Sequence, residues 1–367
     1  MKKLATSIIL PGLLLSTALW MAPAFAADHS AGNPGSDDAS RGVLSEEYTL
    51  RGKALPTPKL EDGEETRAAP LTDETAIVKA LTAVGKSRDG KEVRVEASDA
   101  LKALVKEELN APKDGNKTSN PRKAEDPAFT SGDEAGGERT VFNGDDRVQI
   151  KNTKTFPFRA IGYLESKSQS GNYGGCSATL IGPRTILTAA HCLYNHDDGG
   201  WQDEFLFVPG LNGATANDAP FGAYTYETAY IVEGYITNYQ GYYGSVVPWD
   251  LGIVILQQPI GDQLGWMGYN HYDDLGDFSA NIVGYPGDKP GGTMWRATCN
   301  VLAENIGDDY LQYDCDTYPG SSGSAVYALD GNNQRVVVGV NVAESPAANT
   351  AVRINSTYLE WINSLNQ

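Results

Sequence analysis

The chain has 367 residues with 29 basic and 47 acidic side chains, giving a formal charge of −18 at neutral pH. That balance argues against nucleic acid and anionic membrane surfaces as main partners, because both demand clustered Lys and Arg. With 41% apolar residues the chain as a whole is not disordered, and its length fits two units or one double-barrel domain.

The start reads as an export signal. Lys2 and Lys3 precede a mostly apolar run from Leu4 to Met21, and Ala24-Phe25-Ala26 supplies small residues for cleavage. Residues 1–26 are therefore expected to be a signal peptide, and the run, broken by Pro11 and Gly12, is short for a membrane span. No later segment is long and apolar enough to span, so a secreted, soluble product is expected. Residues 27–139 hold two aromatic side chains, Tyr48 and Phe129, whereas residues 140–367 hold 18 tyrosines and five tryptophans. Aromatic side chains carry much of a core's buried area, so the second stretch can build a large core and the first cannot. Within the first, Thr72 precedes an apolar rhythm at Ile77, Val78, Leu81 and Val84. Ser98 precedes another at Leu101, Leu104, Val105 and Leu109. Both predict capped amphipathic helices. With the polar Gly-, Pro-, Asp- and Lys-rich stretch over 111–137, residues 27–139 read as a prosegment, a small helical module followed by a cleavable linker.

Residues 140–367 show short apolar runs at 178–181, 185–190, 251–256, 281–285, 324–329 and 336–342, separated by Gly, Asn, Asp and Pro. Such runs between turn signals predict strands. Asp330-Gly331-Asn332-Asn333 supplies a hairpin turn. Only 356–365 reads as a helix, with Leu359, Ile362 and Leu365 on one face. The expected class is all-β with a C-terminal helix.

Chemistry concentrates at three places. In Thr188-Ala189-Ala190-His191-Cys192 a strand ends in small residues and a histidine stands beside a cysteine. The four cysteines, Cys176, Cys192, Cys299 and Cys315, form an even set, which in an exported chain most simply means two disulfides. A Cys176–Cys192 bridge would stabilise the fold by ~3 kcal/mol and fix the imidazole at the strand end. In Trp249-Asp250-Leu251, an acid opens a fully apolar strand and is costly to bury unless paired. It is either a turn cap or the carboxylate that accepts Nδ1–H of a catalytic base. In Tyr318-Pro319-Gly320-Ser321-Ser322-Gly323-Ser324, glycines flank a serine, and the N–H groups of Gly320 and Ser322 would form an oxyanion hole. Ser324 in the fifth position rules out the Gly-x-Ser-x-Gly elbow.

His191, Asp250 and Ser322 follow one another with gaps of 59 and 72 residues. This is the His–Asp–Ser order of chymotrypsin-like enzymes. Residues 140–367 resemble the glutamyl endopeptidase branch of those secreted bacterial serine proteases. Asp146 to Ile150, Gly284 to Pro290, Met294-Trp295, Leu311 to Asp314 and Ala351 to Asn355 also carry the likeness. The resemblance implies two six-stranded antiparallel β-barrels with the site between them. It also implies a serine endopeptidase made as a zymogen, which needs no metal or organic cofactor. Expected partners are protein or peptide substrates and the protein's own prosegment as inhibitor or chaperone. A monomer is expected, without nucleic acid or membrane. Cleavage after Arg139 would release a mature chain beginning at Thr140, and Cys299–Cys315 would bridge two strands below the serine loop.

Specificity is where the sequence departs from that branch. The branch's pocket histidine in a Gly-x-His motif is replaced in Gly339-Val340-Asn341, and Asn341 supplies no cation. Thr317 keeps the pocket hydroxyl. Asp316, six residues before Ser322, stands where trypsin-like enzymes place their pocket-floor aspartate, and Glu344 would add negative charge at the rim. Cleavage after Arg or Lys is thus the expectation, with cleavage after Glu the alternative and an inactive binding module on the same fold a further one. Asp197-Asp198 lacks a diagnostic calcium spacing.

Overall fold

Short runs of β-branched and aromatic residues between glycines make strands the main regular element of residues 144–367 in the computed structural model, which describes residues 49–60, 71–110, 142 and 144–367. The expected signal peptide, the linker, Arg139 and Thr140 lie outside the described residues.

Six strands follow one another in hydrogen-bonded order: Glu204–Pro209, Ile161–Lys167, Tyr173–Leu180, Thr185–Thr188, Gly252–Leu256 and Tyr224–Val232. Pairing of Leu206 and Phe207 with Thr225 and Tyr224 closes them into a barrel. Ile186, Leu187, Ile253 and Val254 are fully buried, on alternate faces of its wall. The second sheet runs Tyr310–Tyr313, Asn349–Arg353, Arg335–Glu344, Ala325–Leu329, Phe278–Gly284, Trp295–Val301 and Val148–Gln149. It encloses a separate core of Phe278, Ile282, Val301, Leu311, Val326 and Val338. Among the described residues no pairing joins its two ends, so the second of the two expected barrels is a curled half-barrel beside the closed first one. In place of a ladder, the Cys299–Cys315 disulfide ties Trp295–Val301 to the segment leaving Tyr310–Tyr313.

The tail helix, Ser356–Leu365, forms where its apolar face predicts, with the Asn355 side chain accepting from Tyr358 N–H as its cap. Trp361, Ile362 and Leu365 join the first barrel's core, and Thr185 Oγ1 accepts from Gln367 N–H at 2.9 Å.

Both predicted leader helices exist, as Glu74–Ala80 and Asp99–Asn110. Asp73, not Thr72, caps the first, while Ser98 Oγ accepts Leu101 N–H in the second. The module is not purely helical, however. Val84 belongs to a hairpin, Ala83–Ser87 with Glu92–Val95, whose first strand pairs with Thr228 to Val232. That half of Tyr224–Val232 extends past the barrel's closure and offers unpaired backbone groups. The segment around Val84 gains more by satisfying them than by continuing a helix. Leu81, Ala97, Leu101 and Val105 are buried in the same core as the first barrel.

Residues 49–60 form an extended strap across both sheets. Thr49 bridges Thr215, Lys53 and Ala54 pair in parallel with Gly174 and Gly175, and Lys59 bridges Glu344 in parallel.

Candidate active site

Antiparallel pairing of Gly252 with Thr188 brings the start of one strand beside the end of the other, and with them Asp250 and His191. The Cys176–Cys192 disulfide, Cα–Cα 6.2 Å, fastens the histidine's turn to Tyr173–Leu180. Asp250 is wholly buried and both oxygens are used. Oδ1 accepts His191 N–H at 2.8 Å, and Oδ2 lies 2.7 Å from His191 Nδ1. Tyr243 OH also donates to Oδ2. Burial, together with the Asp250 charge, pushes the Tyr243 phenol well above its ordinary value, so it remains a donor. With a carboxylate accepting at Nδ1, the neutral imidazole carries its proton there and leaves Nε2 as the base. Nε2 is buried and has no hydrogen-bond partner among the described residues.

The serine loop is a tight turn in which Ser321 N–H donates to Tyr318 O, Ser324 N–H to Ser321 O and Gly323 N–H to Asn341 O. Among the described residues, neither Gly320 N–H nor Ser322 N–H donates to a protein acceptor, as an oxyanion hole requires. Gly320 has φ +99°, and a Cβ there would lie 2.5 Å from Tyr285 O. The loop packs against the strand end that carries His191. A Cβ at Gly323 would strike Ser177 O and the Thr188 hydroxyl and lie 3.2 Å from Ala189 N. Ser322 O accepts Ser177 N–H at 2.8 Å. Ser322 Oγ, however, meets the Thr57 hydroxyl of the strap at 3.5 Å and makes no hydrogen bond to Nε2.

Around the expected pocket, Thr317 is buried. Asn341 Oδ1 accepts Tyr313 OH at 2.7 Å, and its Nδ2 donates to Ser321 O at 3.2 Å. Asp316 does not stand as a spare pocket-floor charge. Its oxygens accept Phe142 N–H at 2.7 Å and Asp146 N–H at 3.0 Å. Burial pushes its pKa up to about 6, against those two N–H groups and with help from the Asp146 charge. A carboxylate turned to the 142–146 segment loses the case made for it as a partner for Arg or Lys. Glu344 is buried, and its backbone N–H and C=O pair with Pro58 O and Leu60 N–H of the strap. Asn349 Nδ2 donates to Cys315 O, bracing the chain before Asp316.

His196, in the loop after the Cys176–Cys192 disulfide, is stacked on Tyr239 with ring centroids 3.8 Å apart, and burial lowers its pKa. The one candidate metal trio among the described residues is Cys176, His191 and Cys192, whose thiols are consumed in the disulfide. Sequence reasoning missed Tyr243 and Thr57. Tyr243 stands seven residues before Asp250 in an uncharged Gly-Tyr-Tyr-Gly stretch, and Thr57 lies ahead of the first predicted helix in a stretch with no motif of its own.

A model for the trypsin-like peptidase domain matches residues 176–340. A glutamyl endopeptidase of Bacillus licheniformis is 34% identical over 52% of this chain and 55% of its own length. A Bacillus subtilis protein named extracellular metalloprotease is 31% identical over 59% of this chain and 66% of its own. The chain thus spans just over half to about two thirds of these relatives. A solved Glu endopeptidase in complex with MPD superposes with TM-score 0.53 and 28% identity, covering 61% of this chain and 98% of that one. With the fold and the His191–Asp250 geometry, these likenesses show a chain similar to the trypsin-fold, glutamyl endopeptidase-like serine proteases.

Proposed function

We propose that the chain is a secreted serine endopeptidase made as a zymogen, with His191, Asp250 and Ser322 as its catalytic residues. The carrying observation is the buried Asp250 that fixes the Nδ1 side of His191, beside a serine loop with two uncommitted N–H groups. In this reading Ser322 Oγ attacks a peptide carbonyl while Nε2 takes its proton. The C–O bond forms, and the carbonyl oxygen becomes an oxyanion held by Gly320 and Ser322 N–H. The C–N bond then breaks as imidazolium returns the proton to the leaving amine, and water hydrolyses the acyl-enzyme by the same steps. The Bacillus subtilis relative's name points to metal chemistry, but the donor sets among the described residues do not support that for this chain.

For specificity we favour cleavage after Glu over Arg or Lys. Asp316 is engaged with the 142–146 segment, Thr317 retains a hydroxyl, and the first-named relative is a glutamyl endopeptidase. Residues 27–139 act as the prosegment, which inhibits until cleavage after Arg139 releases residues 140–367. An organophosphonate should label the processed protein but not its Ser322→Ala variant. A peptide library should return Glu on the acyl side of the cut. Equal labelling defeats the catalytic assignment, and enrichment of Arg or Lys defeats the specificity.

A further inference from the structure

We propose that the cleft between Gly174–Gly175 and Glu344 is the docking site of residues 51–60, which fill it in the direction opposite to a substrate and so block Ser322 without being cut. The inference rests on the serine endopeptidase reading for the direction a substrate takes.

That direction follows from the site. The acyl carbonyl must point at Gly320 and Ser322 N–H, with the side chain before the scissile bond near Thr317 and Asn341. The residues preceding it therefore run along the strand that ends at Glu344. The leaving amine must face His191, so the residues following the scissile bond lead toward the first barrel, whose edge there is Gly174–Gly175. The strap runs the other way. Lys53 and Ala54 lie on Gly174 and Gly175, Thr57 at Ser322, and Pro58 to Leu60 on Glu344. Its pairing is parallel at both edges, where a reversed chain would pair antiparallel. What faces Ser322 Oγ is the Thr57 hydroxyl, which has no acyl bond to break. A carbonyl presented in this direction would send its leaving amine away from Nε2, where no proton awaits it.

The fit is specific. Glu165, 2% exposed, accepts Arg51 Nη2 at 2.7 Å, Arg51 Nε at 3.1 Å, Arg51 N–H at 3.0 Å and Gly52 N–H at 3.1 Å. This gathers the strap's cationic end onto a buried carboxylate. Gly174 has no side chain because Leu55 occupies the space a Cβ would take, and Ala54 lies over Gly287 and Gly320 in the same way. Leu55 N–H donates to Gly175 O and Leu60 N–H to Glu344 O, both at 2.8 Å.

Three measurements on the full chain test this. By hydrogen exchange, the Leu55 and Leu60 amides should be protected; exchange at free-peptide rates overturns the docking whatever the serine does. A strap that is open about one part in a hundred slows organophosphonate labelling of Ser322 about 100-fold, because only the open fraction reacts. Arg51→Ala/Leu55→Asp should restore it. Equal fast labelling of wild type and variant overturns the blockade, whereas protected amides with no labelling of either keep the docking and count against the catalytic reading instead. For direction, Thr57→Glu/Pro58→Ala supplies an acidic residue at the serine and removes the proline that would itself protect the next bond. In the full chain the strap should stay intact, while a processed portion of the same variant cuts a free Glu-containing peptide and so shows the serine active; a cut after position 57 in the full chain overturns the reversed polarity.

Discussion

Replacing Asp316 by Asn separates two roles that the sequence alone would merge. In the folded protein burial raises this carboxyl from 3.8 to about 6, so folding favours its protonated form. A raised pKa gives stability that is fully present below the unfolded value, near pH 4, and is lost as pH rises through about 6. A rise of about two units corresponds to about 3 kcal/mol. Asn carries no charge at any of these pH values. Its carbonyl oxygen accepts from either Phe142 or Asp146 N–H but not both, a loss of about 1 kcal/mol. Wild type should therefore be the more stable by about 1 kcal/mol at pH 4, and Asp316→Asn the more stable by about 2 kcal/mol at pH 8. Urea denaturation of both chains in a Ser322→Ala background, which prevents self-cleavage, reads the two midpoints. A stability difference that is the same at pH 4 and pH 8 would falsify the claim that burial of this charge is what matters. In an active background, the variant should keep its side-chain preference. A switch in preference would return Asp316 to the pocket floor.

Asp250→Asn should reduce kcat by about 10⁴ with the fold intact, because the wrong imidazole tautomer is then held at the site. Tyr243→Phe removes the phenol that donates to Asp250 Oδ2. Loss of one charge-assisted bond of about 1.5 kcal/mol should lower kcat about tenfold. KM should stay unchanged, and a rise in KM alone would count against a positioning role. Cys176→Ser/Cys192→Ser should lower stability by ~3 kcal/mol, read as a reduced urea midpoint of the full chain. An unchanged midpoint would mean that the closed loop is already ordered without the bond.

The order His191, Asp250, Ser322 was legible because each residue interrupts a local pattern: an acid opens an apolar strand, a histidine follows small residues, glycines flank a serine. The tail helix was legible for the same reason, since its apolar face is written within ten residues. What depends on distant partners was not. The open edge of the second sheet follows from which edges meet, and of its closure only the Cys299–Cys315 bridge was announced by the sequence. Val84 continues a helical rhythm in sequence yet joins a strand, because the unpaired backbone it satisfies lies beyond residue 227. Asp316 occupies the linear position of a pocket charge, but the N–H groups of Phe142 and Asp146, 174 and 170 residues away in sequence, decide where it points. The strap's role is invisible for a related reason: its anchors, Glu165, Gly175 and Glu344, all belong to residues 140–367.

The hairpin at Ala83–Ser87 covers the outer flank of Tyr224–Val232, pairing residue for residue from Thr228 to Val232. Detaching the leader would bare that flank together with the apolar seat of Leu81, Leu101 and Val105. A molecule without the hairpin would then carry a sticky margin able to recruit a strand from a neighbour, so it is expected to clump at high concentration unless another chain caps it.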